Sequence, residues 1–150
     1  MQRKILIVIG VLIIGLQFFR GNPPEVNNEN PGDILLTEAI DGELAITLRQ
    51  ACYDCHSMES RYPWYTYVTP VSWFVFGHVE KGRKELNFSE WSTMSQRRQL
   101  RKLEELVEEV GEGEMPLPSY TLIHGEARLT AAQRQAIGEW AKELSRKIQN

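Results

Sequence analysis

The chain has 150 residues, 42% of them hydrophobic and 25% charged, enough for one membrane element and one small domain. Its net charge of −3 hides an asymmetry: residues 1–20 carry Arg3, Lys4 and Arg20 with no acid, leaving 14 basic against 20 acidic side chains on the rest. An acidic body lacks the basic patch a nucleic-acid partner requires, and the composition is too apolar for a disordered chain.

Residues 1–20 are two basic residues followed by an apolar run from Ile5 to Phe19, broken only by glycines and Gln17. At about 1.5 Å per helical residue this run reaches about 22 Å, short of a hydrocarbon core of about 30 Å. A secretory signal peptide is therefore the rival of a membrane anchor. The segment before Gly21 has no A-x-A-like cleavage pattern, so an uncleaved anchor is the preferred reading, with Lys4 and Arg20 reaching the two interfaces. Arg3 and Lys4 keep the N-terminus cytoplasmic and put the rest outside, in the periplasm.

Residues 21–40 open with a Pro-, Asn- and Gly-rich stretch without apolar period, expected as a flexible linker. A domain is expected over 41–150. Its first helix starts near Asp41, where Leu44, Leu48, Cys52 and Cys55 recur at helical spacing.

That stripe runs into Cys52-Tyr53-Asp54-Cys55-His56. C-x-x-C-H spacing is a c-type haem attachment pattern: each thiol can form a thioether to a vinyl group while the histidine ligates the iron. The competing readings are weaker. Zinc needs four ligands, and these are the only cysteines, so two of His56, His78 and His124 would have to complete the set. A thiol redox pair belongs beside a βαβ pattern, which is missing, and a disulfide across two residues makes a tight loop. The periplasmic placement from the N-terminus rests on different residues and agrees with covalent haem attachment, which occurs there.

The next stretch, 57–73, is crowded with Tyr62, Trp64, Tyr65, Tyr67 and Trp73 and broken by Pro63 and Pro70. These aromatics either form ordinary core or pack on the porphyrin, with Arg61 or a Tyr or Trp polar tip bonding a propionate. Thr69 and Pro70 predict an N-cap and first-turn proline for a second helix. Its Val71, Val75, His78, Val79, Gly82 and Leu86 share a face, so His78 is a candidate axial ligand, and the charged end from Glu80 to Glu85 reads as solvated.

Phe88 and Trp91 are expected anchors of a turn. A third helix follows over about 95–110, with Leu100, Leu103, Leu106, Val107 and Val110 inside, Lys102 among the charges outside, and Gly111 and Gly113 at its end. Met115, held in a turn by Pro116 and Pro118, is the preferred sixth iron ligand, ahead of His78 and then His124. The last helix starts at Thr130-x-x-Gln133 and buries Ile137, Trp140, Ala141, Leu144 and Ile148. Gly138 inside it suggests close approach to another helix.

The order of parts over 41–149 resembles class I cytochromes c. More narrowly, the C-x-x-C-H motif with Arg61-Tyr62-Pro63-Trp64-Tyr65, Val71-Ser72-Trp73, Gly82-Arg83, Leu86-Asn87-Phe88-Ser89-Glu90-Trp91 and Met115-Pro116 resembles a family of small, membrane-anchored bacterial haem-binding domains. The resemblance implies a mostly α, cytochrome c-like domain around one covalent haem c, behind one transmembrane helix, with His56 proximal and Met115 distal. The expected function is electron transfer at the periplasmic face of the inner membrane, with a redox partner and no enzymatic turnover. The alternative is a haem-based ligand sensor or peroxidase-like protein with an open sixth position.

Overall fold

With no proline to interrupt it, the apolar N-terminal run folds as α1 (Gln2–Leu16) in the computed structural model, which describes residues 2–150. A 3-10 turn, Gln17–Phe19, prolongs it. The span Gln2–Phe19 has a mean hydropathy of 1.8 and no buried share, which fits a signal sequence or a single membrane span.

The segment expected as a linker is fastened down rather than free. The Asn27 N–H donates to the Met58 carbonyl at 2.8 Å, and the Tyr62 hydroxyl to the Pro24 carbonyl at 3.1 Å. Asp33 then caps α2 (Ile34–Thr37), accepting from the Leu35 N–H at 2.9 Å, and Ile34 enters the core. Composition predicted a tether because it carries no apolar period; the backbone groups find partners that only the folded domain provides.

Asp41, the expected start of the helix, caps α3 (Gly42–Ala51), with Oδ1 accepting from the Glu43 N–H at 2.9 Å. Leu48 is fully buried. At Cys52 the backbone departs from the helix (φ −124°, ψ −37°) and restarts as a single turn, α4 (Tyr53–His56).

After a 3-10 turn at Trp64–Tyr67 comes α5 (Val71–Glu85). Thr69 is not its N-cap. Pro70 holds that position, and the backbone N–H and carbonyl of Thr69 are both taken by the Gln17 side-chain amide, at 3.0 and 3.1 Å. The buried face of α5 is Ser72, Phe76, Val79 and Gly82, so the predicted stripe is shifted: Val71 is exposed and Val75 half-buried.

Asn87 caps the 3-10 stretch Phe88–Thr93, in which Phe88 and Trp91 are buried anchors as expected. Ser95 caps α6 (Gln96–Glu112), which runs through Gly111 and stops at Gly113, the residue in the left-handed region at φ 86°. The Met115-Pro116 turn leads to α7 (Pro118–Thr121), and α8 (Ala131–Gln149) opens with the predicted Thr130–Gln133 capping box. Helices α6 and α8 pack along their lengths, and Leu103, Leu106 and Val110 join Ile137, Ala141 and Leu144 in one core with Leu48, Tyr53, Phe88 and Trp91. The architecture is mostly α, with no strand among the described residues.

The close-approach glycine is not Gly138, where an added Cβ would meet nothing within 4 Å. It is Gly82, where a Cβ would lie 2.6 Å from the Cys55 carbonyl oxygen. Helix α5 thus presses directly against the cysteine motif.

Candidate haem site

The kink at Cys52 separates the two cysteines onto consecutive helical pieces. The Cys52 carbonyl accepts from the Cys55 and His56 N–H groups at 3.2 and 2.9 Å, which closes the turn and brings His56 around beneath it. Both thiols are free, and burial pushes them up, Cys52 to about 12 and Cys55 to about 11. They are neutral thiols in this environment.

The His56 ring bonds through Nδ1 to the Leu86 carbonyl at 3.0 Å. A carbonyl only accepts, so Nδ1 carries the hydrogen and the Nε2 lone pair is directed away from the hydrogen bond. Burial lowers the His56 pKa, which favours the neutral, metal-ligating form.

His56 and Met115 line one cavity of about 500 Å³, together with Cys55, Gly82, Leu86, Leu106 and Pro116. Cys52, His56 and Met115 also line the pocket adjoining it, against Phe88 and Val110. Met115 is held by its backbone: its N–H donates to the Glu109 carbonyl at 3.1 Å, and the Arg134 guanidinium of α8 donates to the carbonyls of Val110 and Met115 at 2.8 and 3.0 Å. The donor set is one neutral imidazole, one thioether and two thiols, divided between the two adjoining pockets, whose apolar lining is joined by charged side chains from α5 and α6 such as Lys102 and Glu109. It suits an iron porphyrin attached through sulfur, and the volume lies within the range of cofactor pockets. Zinc is a poorer match, since the described residues contain no group of three or more His, Cys, Asp or Glu able to hold a metal ion.

The other histidines divide. His78 lines the same cavity, and its Nδ1 donates to the Phe74 carbonyl at 2.7 Å, so its Nε2 also remains unengaged. His124 sits on a different pocket, its Nε2 2.5 Å from the Tyr65 hydroxyl and its Nδ1 3.3 Å from the Glu126 carboxylate. It is not brought to the cavity that His56 and Met115 line, because α7 turns it toward the aromatic loop.

Asp54, inside the motif, ties three segments together. Its carboxylate accepts from the Arg61 Nε at 3.1 Å and from the Tyr120 hydroxyl at 2.7 Å. Burial and this bond push the Tyr120 pKa upward. The Arg61 guanidinium is therefore engaged with Asp54. The loop that follows Met115 is locked to the turn that carries the cysteines.

Two charged residues read as solvated are otherwise. Arg83, one residue past Gly82, donates to the Ser57 carbonyl at 2.7 Å, the Glu25 carbonyl at 2.7 Å and the Ser60 hydroxyl at 2.9 Å, clamping the chain on both sides of the motif. Lys102 is 6% exposed, lines the same cavity as His56, and reaches Glu85 at 3.2 Å and Glu105. A charged helix face gives little sign of such partners, since all but Glu105 come from other segments. The adjacency of Gly82 and Arg83 was the available signal for one of them.

Neither the curated proteins nor the solved structures include a match to the chain. The model of the family described as Haem-binding domain matches residues 11–143, which covers most of the sequence, and the chain belongs to that family.

Proposed function

We propose that this haem-binding domain carries one haem c, joined through the sulfurs of Cys52 and Cys55 and ligated by His56 Nε2 and Met115 Sδ, and that it passes single electrons without turning over a substrate. When bound, the haem supplies a one-electron couple. The observation that carries the reading is that His56 and Met115 line one cavity, with the His56 hydrogen already committed to the Leu86 carbonyl.

The chain's own residues have separable roles. Leu86 fixes the imidazole orientation, as ligating histidines require. Arg134 and Pro116 hold the methionine loop, which suits a weak thioether ligand. Leu86, Leu106, Phe88 and Val110 keep water from the ring. His/Met ligation raises the potential and leaves no position for substrate, which supports electron transfer over catalysis. The reading includes α1 as an uncleaved anchor in the bacterial inner membrane, with the domain on the periplasmic side and a redox protein as partner.

A second reading has one observation in its favour, the unengaged Nε2 of His78 on the same cavity wall. There, Met115 would leave the iron and His78 would act as a distal polar group on a bound gas or peroxide. Spectra of the purified full-length protein distinguish the two. Electron transfer predicts a thioether–iron charge-transfer band in the oxidised form and an unchanged reduced spectrum under carbon monoxide. Ready carbon monoxide binding overturns it in favour of the sensor or peroxidase-like reading. Mass spectrometry of the denatured chain, reading protein mass plus haem, tests the covalent attachment separately.

A further inference from the structure

The end of the apolar N-terminal helix is bolted to one face of the domain. The Gln17 amide bridges both backbone groups of Thr69, Trp73 Nε1 donates to the Phe19 carbonyl at 2.7 Å, and the Arg20 guanidinium lies 5.3 Å from the centre of the Tyr67 ring. No slack separates helix from domain at this point, although the covalent route from Arg20 to Thr69 is long. Whatever surface α1 emerges from must lie against residues 67–74.

That face carries large apolar side chains turned outward. Trp64 is 78% exposed, Phe74 53% and Trp73 47%; Ile123, 63% exposed, lines one cavity with Phe74, and Leu122 beside it in the chain is 76% exposed. Monomeric soluble domains seldom expose a contiguous apolar patch of this kind. Trp and Tyr, with flat apolar rings and one polar tip, are the residues that settle at the headgroup level of a bilayer. Arg20, stacked on Tyr67, supplies a cation at the same level.

We propose that Trp64, Tyr67, Trp73, Phe74, Leu122 and Ile123 form a membrane-seated face, inserted into the headgroup region of the bilayer that holds α1, so that the domain lies on the membrane in a fixed orientation. The occupant is lipid, because the patch is continuous with the apolar helix and hydrogen-bonded to its end. The proposal rests on α1 being retained as an anchor. The cavity rimmed by Phe74 and Ile123 then opens beside the membrane surface, and redox partners must approach from the sides that remain in water.

The test uses the full-length haem-loaded protein in phosphatidylethanolamine/phosphatidylglycerol vesicles containing a headgroup-level carbene-generating phospholipid, with adducts mapped by mass spectrometry. The expected result is adducts on α1 and on residues 64–74 and 122–123, with Trp140 on α8 unlabelled. In the Trp73→Ser, Phe74→Ser variant, labelling at 122–123 should fall while α1 labelling and haem content stay unchanged. Adducts on α1 with none on the aromatic face overturn the proposal and leave the anchor intact. An absence of adducts on α1 removes the anchor and the proposal together. Chain-to-chain cross-links through residues 64–74 in place of lipid adducts assign the face to a second copy and also overturn it.

Discussion

The imidazole of His56 and the backbone carbonyl of Leu86 lie 3.0 Å apart across 30 residues of sequence, and that bond sets which ring nitrogen faces the cavity. The contact depends on how closely α5 approaches the motif, and Gly82 permits that approach. Gly82→Ala should therefore push α5 off Cys55, at a cost of about 1–3 kcal/mol, and alter the iron spectrum through His56. Thermal melting together with the absorption spectrum checks both; a stable variant with an unchanged spectrum contradicts the account.

Met115 and His78 compete for the same assignment and separate on substitution. Met115→Ala should keep the haem attached, lose the thioether–iron band, lower the reduction potential and open the iron to carbon monoxide. His78→Ala should leave all four unchanged. Potentiometric titration of the two variants decides between them, and the reverse pattern makes His78 the ligand.

Tyr120 joins the methionine loop to the cysteine turn through Asp54. A hydrogen bond to a charged acceptor contributes about 1.5–3 kcal/mol, so Tyr120→Phe should cost an amount in that range by chemical denaturation. It should also weaken the Met115–iron bond, seen as carbon monoxide binding in the reduced variant. Destabilisation without any gain in carbon monoxide binding would limit the role of Tyr120 to folding.

Lys102 puts a buried ammonium on the cavity wall, between Glu85 and Glu105. A positive charge near the iron disfavours the oxidised form, and Lys102→Met should lower the reduction potential. The effect on stability should be small, since Glu85 and Glu105 are 64% and 44% exposed and stay solvated when the ammonium is removed. Redox titration against the wild type is the measurement, and an unchanged or higher potential refutes the role.

The thiols give a pH signature of attachment. In haem-free chain, Cys52 and Cys55 ionise near 9 when unfolded and at about 12 and 11 when folded. Their stabilising contribution is full below about pH 9 and falls as pH rises through that window, because only the unfolded thiols ionise there. Thioethers do not titrate. Buried Tyr53 and Tyr120, whose pKa values are also raised, lower stability above about pH 10 in either protein, so denaturation from pH 8 to about pH 11 should show a steeper decline in haem-free wild type than in the Cys52→Ala, Cys55→Ala variant; parallel profiles would mean that the thiols are not buried as described.

Much of the domain was legible from short-range chemistry. The helix starts near Asp41 and Ser95, the cap at Thr130 and the stripes on α6 and α8 follow from helical period and from orphan backbone groups that need partners. The C-x-x-C-H spacing pointed to haem c, and the family match supports its coarser part, haem binding. Gly138 misled because an open helix position tolerates glycine at modest cost, so its presence need not mark a contact. Thr69 misled because its backbone groups are satisfied by a side chain 52 residues earlier rather than by α5.

By itself the sequence located the long helices α3, α5, α6 and α8, though not the short α2 and α7, showed that two thiols and an imidazole arrive on one turn, and showed that an apolar segment precedes the domain. Only the tertiary structure decided that Leu86 orients His56, that Met115 and His78 share its cavity while His124 does not, and that Lys102 and Arg83 turn inward. Helical period and capping act within a few residues, whereas these partners lie tens of residues apart and meet only where packing brings their backbones together.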